Sequence, residues 1–106
     1  MKVDTILDLV DGIKANAIDE GVKLAWINEA EGRVECEIHK KKAKNIVLLT
    51  SGNDDLSVSG PYARIYVLYL IAMIAFAKGE YELYERTFVE YENAFSEYAK
   101  YYIRNR

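Results

Sequence analysis

Cys36 and His39 are the chain's only thiol and its only imidazole, and they stand three residues apart. On a helix that spacing puts both on one face, the arrangement a thiolate nucleophile and its base would need. The rest of such a site is missing. No third residue is identifiable to orient the imidazole, and no glycine-rich loop offers backbone N–H groups to an oxyanion. A zinc site would need four ligands at recognisable spacing, and no second Cys or His exists to complete one. Ordinary structural roles are expected for both residues.

Next to His39 lies a short basic cluster, Lys40, Lys41, Lys42 and Lys44, with acids just upstream. One reading is a solvated helix end, where the helix dipole favours cations. The other is a contact for phosphate or an acidic partner. Asp54 and Asp55 fall in a turn, but two acids without a calcium-loop pattern are weak metal evidence. No phosphate-cradling glycine motif occurs. The expectation is a protein that is no enzyme, with no catalytic residues, no metal and no cofactor.

Composition narrows the class further. A chain of 106 residues, 51% apolar and 29% charged with one proline, reads as one folded domain spanning residues 1–106. That length buries roughly 65% of the unfolded surface. A net charge of −3 gives no support to general nucleic-acid binding, which favours a basic domain. One cysteine allows no internal disulfide and fits a reducing compartment. The opening MKVDTILDLVD carries acids inside its apolar stretch, unlike a secretory signal. The longest apolar run, residues 65–77, has thirteen residues. A bilayer needs about 20, so a buried helix is expected and no membrane.

The elements that must carry these residues are helical. Val3, Ile6, Leu7 and Val10 predict a helix over residues 3–12, with Gly12 following its end. Ile18, Val22, Trp26, Ala30, Val34 and Ile38 recur every four residues and predict a second helix, with Ile27 widening the face. Asp19–Lys23, Glu29–Arg33 and Glu37–Lys41 stand as acid-before-base pairs at i, i+4 and run straight across Gly32. Val34, Cys36 and Ile38 also alternate, and Ile46–Thr50 is β-prone. A short β-hairpin pairing 33–39 with 46–50 therefore competes with the continuous helix. Residues 51–58 are turn chemistry. Ser59 or Gly60 can then cap a third helix, with Pro61 at its first helical position and Gly79 at its stop. A fourth helix runs from Glu80 to about Arg104, acids early and bases late. The fold expected is all-α, a small bundle of about four helices closed by a C-terminal helical hairpin.

That hairpin carries twelve of the chain's thirteen aromatics. Tyr81, Tyr84, Phe88, Tyr91, Phe95, Tyr98 and Tyr102 are spaced by alternating threes and fours, which keeps one stripe of the fourth helix aromatic. Tyr62, Tyr66 and Tyr69 extend the seam onto the third helix. Buried tyrosine hydroxyls need partners or an exit to water, so partly wet boundaries are expected. The stripe reads as core packing, as an interface with another subunit, or as both. Helix three is apolar nearly all round, and helix four carries Leu83, Val89, Tyr101 and Ile103 off its stripe. Together these favour a homo-oligomer.

The order of features is similar to a known group. ILDLVDGIKANAI, VKLAWINEAEGRVECEI, LLTSGNDDL and GPYARIYVLYLIAMIAFAKGEYELYERTFVEYENAFSEYAKYYIR span nearly the whole chain. They resemble the head–tail connector (adaptor) proteins of tailed phages and prophages of Gram-positive bacteria. The most telling part is the Pro-Tyr, the spaced tyrosines and the Gly-Glu break between two helices. The resemblance implies a helical subunit without enzymatic activity, ringed beneath the portal around a channel through which DNA passes without specific binding. It implies portal and tail-completion proteins as partners, and a place in the virion, or in the bacterial host cytoplasm during assembly. A mildly acidic wall suits DNA transit, and a short loop such as 51–58 suits seating against neighbours. The alternative is a small helical adaptor or regulatory protein that binds another protein through its tyrosine-rich face.

Overall fold

The computed structural model describes all 106 residues. Four α-helices, α1 (Val3–Ile13), α2 (Glu20–Arg33), α3 (Arg64–Ala77) and α4 (Tyr81–Asn105), make up the bundle. The long connection between α2 and α3 holds a π-helical turn at Val34–Ile38 and 3-10 turns at Ala43–Asn45 and Gly60–Ala63. An isolated bridge between Lys2 and Asp55 is the sole β contact. The all-α bundle with its C-terminal hairpin is thus the architecture, and the alternative β-hairpin at 33–50 does not form. Val34–Ile38 carries α2 onward, with Val34 and Ile38 buried at helical spacing and Glu35 held inside with them. A strand there would turn Glu35 away from the side that Val34 and Ile38 share.

α1 buries Val3, Ile6, Leu7 and Val10, the four apolar positions its spacing selects. It runs through Gly12 to Ile13, because the Lys14 N–H still reaches the Val10 carbonyl at 2.8 Å. Asp19 starts α2 by accepting the Gly21 N–H at 2.9 Å. The four-residue ladder on α2 is only partly a core face. Ile27, Ala30, Val34 and Ile38 are buried, but Val22 is exposed and Trp26 half-buried. Steps of four outrun a 3.6-residue turn by about 40° each, so the ladder drifts around the helix.

α3 is the central element, packed along α4 and also against α2 and α1. Those three neighbours cover much of its apolar surface, leaving Val67, Tyr69, Ile71 and Met73 half-buried and Phe76 as its one large exposed apolar side chain. The uncovered helix anticipated from its composition is therefore not what exposes apolar surface here. By length and composition Gly60–Ala77 is sufficient to cross a membrane. Here it forms the middle of the bundle. Its entry differs from expectation: Ser59 makes no side-chain cap, and Pro61 lies in the 3-10 turn that leads into Arg64. Its exit does not. Gly79 takes φ +77°, and the N–H groups of Gly79 and Glu80 close on Phe76 and Ala75 at 3.1 and 2.9 Å. This Schellman closure reverses the chain into α4.

Candidate assembly surface and the polar joint beneath it

The ruled aromatics divide along α4 from exposed to buried. Tyr81 is 59% exposed, Tyr84 and Phe88 are half-buried, and Tyr91, Phe95 and Tyr98 are buried, with Tyr102 half-buried at the end. From the α3 side Tyr66 is wholly buried, while Tyr62 and Tyr69 are half-buried. Rings meet in series: Tyr69 on Tyr91 at 5.0 Å, Phe88 on Tyr91 at 5.4 Å, Tyr62 on Tyr98 at 5.6 Å. The seam is core over most of its length.

The buried hydroxyls of Tyr66, Tyr91 and Tyr98 meet protein groups, while Tyr62, Tyr69, Tyr84 and Tyr102 are half-buried at the partly wet boundary expected. Arg33 donates to the Tyr91 hydroxyl at 3.3 Å and grips Glu92 through two nitrogens at 2.7 and 3.1 Å. The same guanidinium stacks 3.9 Å above the Phe95 ring. The Glu92 hydrogen bonds lift the Arg33 pKa, with Tyr91 adding to the shift against the effect of burial. Burial pushes the Tyr91 and Tyr98 hydroxyls up.

None of the i, i+4 pairs predicted on α2 forms. Lys23 turns inward to Asp11 at 2.9 Å, Arg33 pairs with Glu37 and Glu92, and Lys41 with Glu35. Glu29 instead accepts the Tyr69 hydroxyl at 2.6 Å. The helix is right, and its reason is burial rather than surface charge pairing.

The inward face of α2 also carries two carboxylates. Glu31 accepts the Tyr66 hydroxyl at 2.6 Å, the Ser57 N–H at 2.9 Å and the Ser57 hydroxyl at 2.8 Å. Tyr66 in turn accepts the Val58 N–H at 3.2 Å. One turn later Glu35 takes the Lys41 ammonium at 2.6 Å and His39 Nδ1 at 3.2 Å. His39 Nε2 lies 2.7 Å from the Tyr98 hydroxyl, and its ring packs on Tyr102 at 4.7 Å. A carboxylate only accepts, so in the neutral ring Nδ1 holds the hydrogen and Nε2 accepts from Tyr98. Burial opposes the Glu35 charge, yet Lys41, Ser57 and His39 together hold its carboxyl below the ordinary value. Burial, then the charge of Glu31, drives the Tyr66 hydroxyl well above its own. Residue spacing placed His39 near Cys36, but its contacts are with Glu35 and the C-terminal half of α4. Nothing in these contacts makes a nucleophile.

Above this joint the connection presents itself to solvent. Lys40, Lys42 and Lys44 are exposed and form no ion pair, while Lys41 is committed to Glu35. Lys40 adopts φ +63° as the chain leaves the π turn. Residues 46–50 then carry no regular secondary structure and are pinned where Asn28 exchanges two hydrogen bonds with the Leu49 backbone at 2.8 and 3.0 Å. Leu49 is buried there, which leaves Val47 and Leu48 86% and 67% exposed. A cavity of about 530 Å³ opens between this segment, Glu35 and Lys41 on one side and the 54–57 loop on the other. A separate exposed patch lies at the α3–α4 turn, where Phe76 meets Tyr81 edge-on at 5.7 Å.

Comparison of the chain with protein-family models, with curated proteins and with solved structures finds no match.

Proposed function

We propose that this chain is a structural subunit of a phage or prophage head–tail connector, assembling as a ring around the DNA channel with portal and tail-completion proteins as neighbours. The reading rests on the residue pattern from Pro61-Tyr62 through Gly79-Glu80 to Tyr102. The observation that carries it is the exposure of apolar side chains at several separate places, Val47–Leu48 and Phe76–Tyr81 among them. Two different surfaces on one subunit suit head-to-tail contact, which closes into rings, better than a self-complementary patch. The alternative, an adaptor using a tyrosine-rich face, is left with Tyr81 and Tyr101 as its exposed tyrosines.

Light scattering on the purified chain, with negative-stain imaging at high concentration and after mixing with portal assemblies, tests the reading. Rings, formed alone or on the portal, are expected. A monomer or simple dimer at every concentration that also ignores the portal refutes it.

A further inference from the structure

We propose that the contact between neighbouring copies joins the basic edge of the long connection in one copy to the acidic first half of α4 in the next; this rests on the ring reading above. The first surface is Lys40, Lys42 and Lys44 followed by the exposed Val47 and Leu48. The second is Glu82, Glu85 and Glu90 around Val89, itself 60% exposed. Glu82, Glu85 and Val89 stand at i, i+3 and i+7 and share one outward face of the helix, with Glu90 beside it. Neither set of charges has an ion-pair partner in its own chain. Arg86 lies within the acidic patch and leaves it net negative by two (three carboxylates less one guanidinium).

The two surfaces do not pair with each other within one subunit. His39, just before the basic edge, is fixed to Tyr98 and Tyr102 near the end of α4. Glu80, just before the acidic face, is fixed to Lys14 at 2.7 Å. Glu82, Glu85 and Glu90 lie sixteen, thirteen and eight helical residues before Tyr98, roughly 24, 20 and 12 Å. Complementary surfaces that stay apart in one subunit, one beside the C-terminal half of α4 and one on its first half, can be satisfied by another copy, head to tail. Each is a mixture of charge and apolar surface, so charge sets the register while Val47, Leu48 and Val89 lose their water. α1 offers a weaker rival face: Leu9 and Ile13 are exposed, but Asp4 is turned against Gly52, leaving Asp8.

Charge reversal in two variants tests the pairing. One carries Lys40→Glu, Lys42→Glu and Lys44→Glu; the other carries Glu82→Lys, Glu85→Lys and Glu90→Lys. All six positions are exposed, and circular dichroism checks that each variant stays folded. Each variant alone is expected to lose self-assembly by light scattering, needing at least tenfold more protein to associate. An equimolar mixture is expected to recover it, because each basic face then meets an acidic one. Assembly of either variant like the native chain overturns the proposal. So does a mixture that stays dispersed while the native chain assembles, a result that leaves the ring reading standing. Loss of assembly from Asp8→Lys, with the α4 triple variant unaffected, would move the contact to α1 and refute the one proposed. A native chain that is monomeric throughout removes the contact between free copies; absence of rings on the portal as well removes the ring reading.

Discussion

Tyr66 and Tyr69 provide a controlled pair for weighing buried against exposed hydrogen bonds. Each donates its hydroxyl to a glutamate oxygen at 2.6 Å, Tyr66 to Glu31 and Tyr69 to Glu29. The surroundings differ, and so does a second bond, which only the Tyr66 hydroxyl makes. Tyr66 is fully buried and Glu31 7% exposed, whereas Glu29 lies in solvent. Tyr66→Phe removes a bond to a buried carboxylate, worth about 1.5–3 kcal/mol. It also strands the Val58 N–H, whose partner is the same hydroxyl and whose residue is 1% exposed. An unsatisfied buried donor adds about 1–3 kcal/mol. Glu31 keeps both Ser57 bonds, which moderates the total, so a loss of about 3 kcal/mol is expected. Water replaces the lost partner in Tyr69→Phe, and the loss there is about 0.5 kcal/mol. Urea unfolding with the slope held common reads both, and thermal melting should separate them by at least about 10 °C. Equal losses in the two variants would refute the claim that Glu31 is a buried, fully bonded charge.

Phe95→Ala, in the buried part of the seam, should cost about 3–5 kcal/mol, and Tyr81→Ala at its exposed end under about 1 kcal/mol, both by chemical denaturation. A large loss at Tyr81 would mean the seam is core throughout. Gly79→Ala should cost about 1 kcal/mol by the same assay, all of it from the backbone, since φ is +77° and a Cβ there would meet nothing within 4 Å. pH dependence follows from the signs of the shifts. Asp11, Glu35, Asp54 and Glu80 titrate below their ordinary values when folded. Their stabilisation is therefore present above about pH 4 and lost as pH falls below it. Tyr66, Tyr69, Tyr91 and Tyr98 titrate above theirs, so stability is lost as pH rises past about 10. The urea midpoint measured against pH should show both edges, and a midpoint flat down to pH 3 contradicts the acid one.

Periodicity made α1 and α4 legible because their apolar residues lie on faces that fold inward together, and an unbroken apolar run between Pro61 and Gly79 made α3 legible. The Gly79 stop was legible because a left-handed residue after a helix has few alternatives to glycine. α2 was harder to read, and for a physical reason. Its inward face carries Lys23, Glu31 and Glu35 among Ile27, Ala30, Val34 and Ile38. A charged residue in a periodic pattern reads as outward, because an unpaired buried charge is untenable. Its partners come from elsewhere: Asp11 on α1, Ser57 before α3, Tyr66 on α3. Local sequence contains no trace of contacts 26 and 35 residues away. For Arg33 the expected neighbour was Glu29, but Glu92 sits 59 residues on and offers two oxygens. The exposure of Val47 and Leu48 was equally hidden, since an apolar run gives no sign of which of its members is pinned inward by Asn28.

The buried carboxylates explain how a long connection with little regular structure holds one shape. Residues 39–59 contain a single 3-10 turn, so few of their own backbone bonds define them. Side chains from the bundle substitute for a ladder. Glu35 anchors the connection at Lys41, Asn28 at Leu49, and Glu31 at Ser57, all three from α2 and its π-helical extension. The N-terminus adds its own clamps, the Val3 N–H on Asp54 and the Leu56 N–H on the Met1 carbonyl, at 3.1 and 2.9 Å. Apolar residues in place of Glu31 and Glu35 could make an equally stable core, since buried charges contribute little net stability. They would not specify where Lys40, Lys42, Lys44, Val47 and Leu48 face. Cost in the core is thus exchanged for a fixed geometry at the surface, because Glu35, Asn28 and Glu31 each hold one point of a connection that has no ladder of its own.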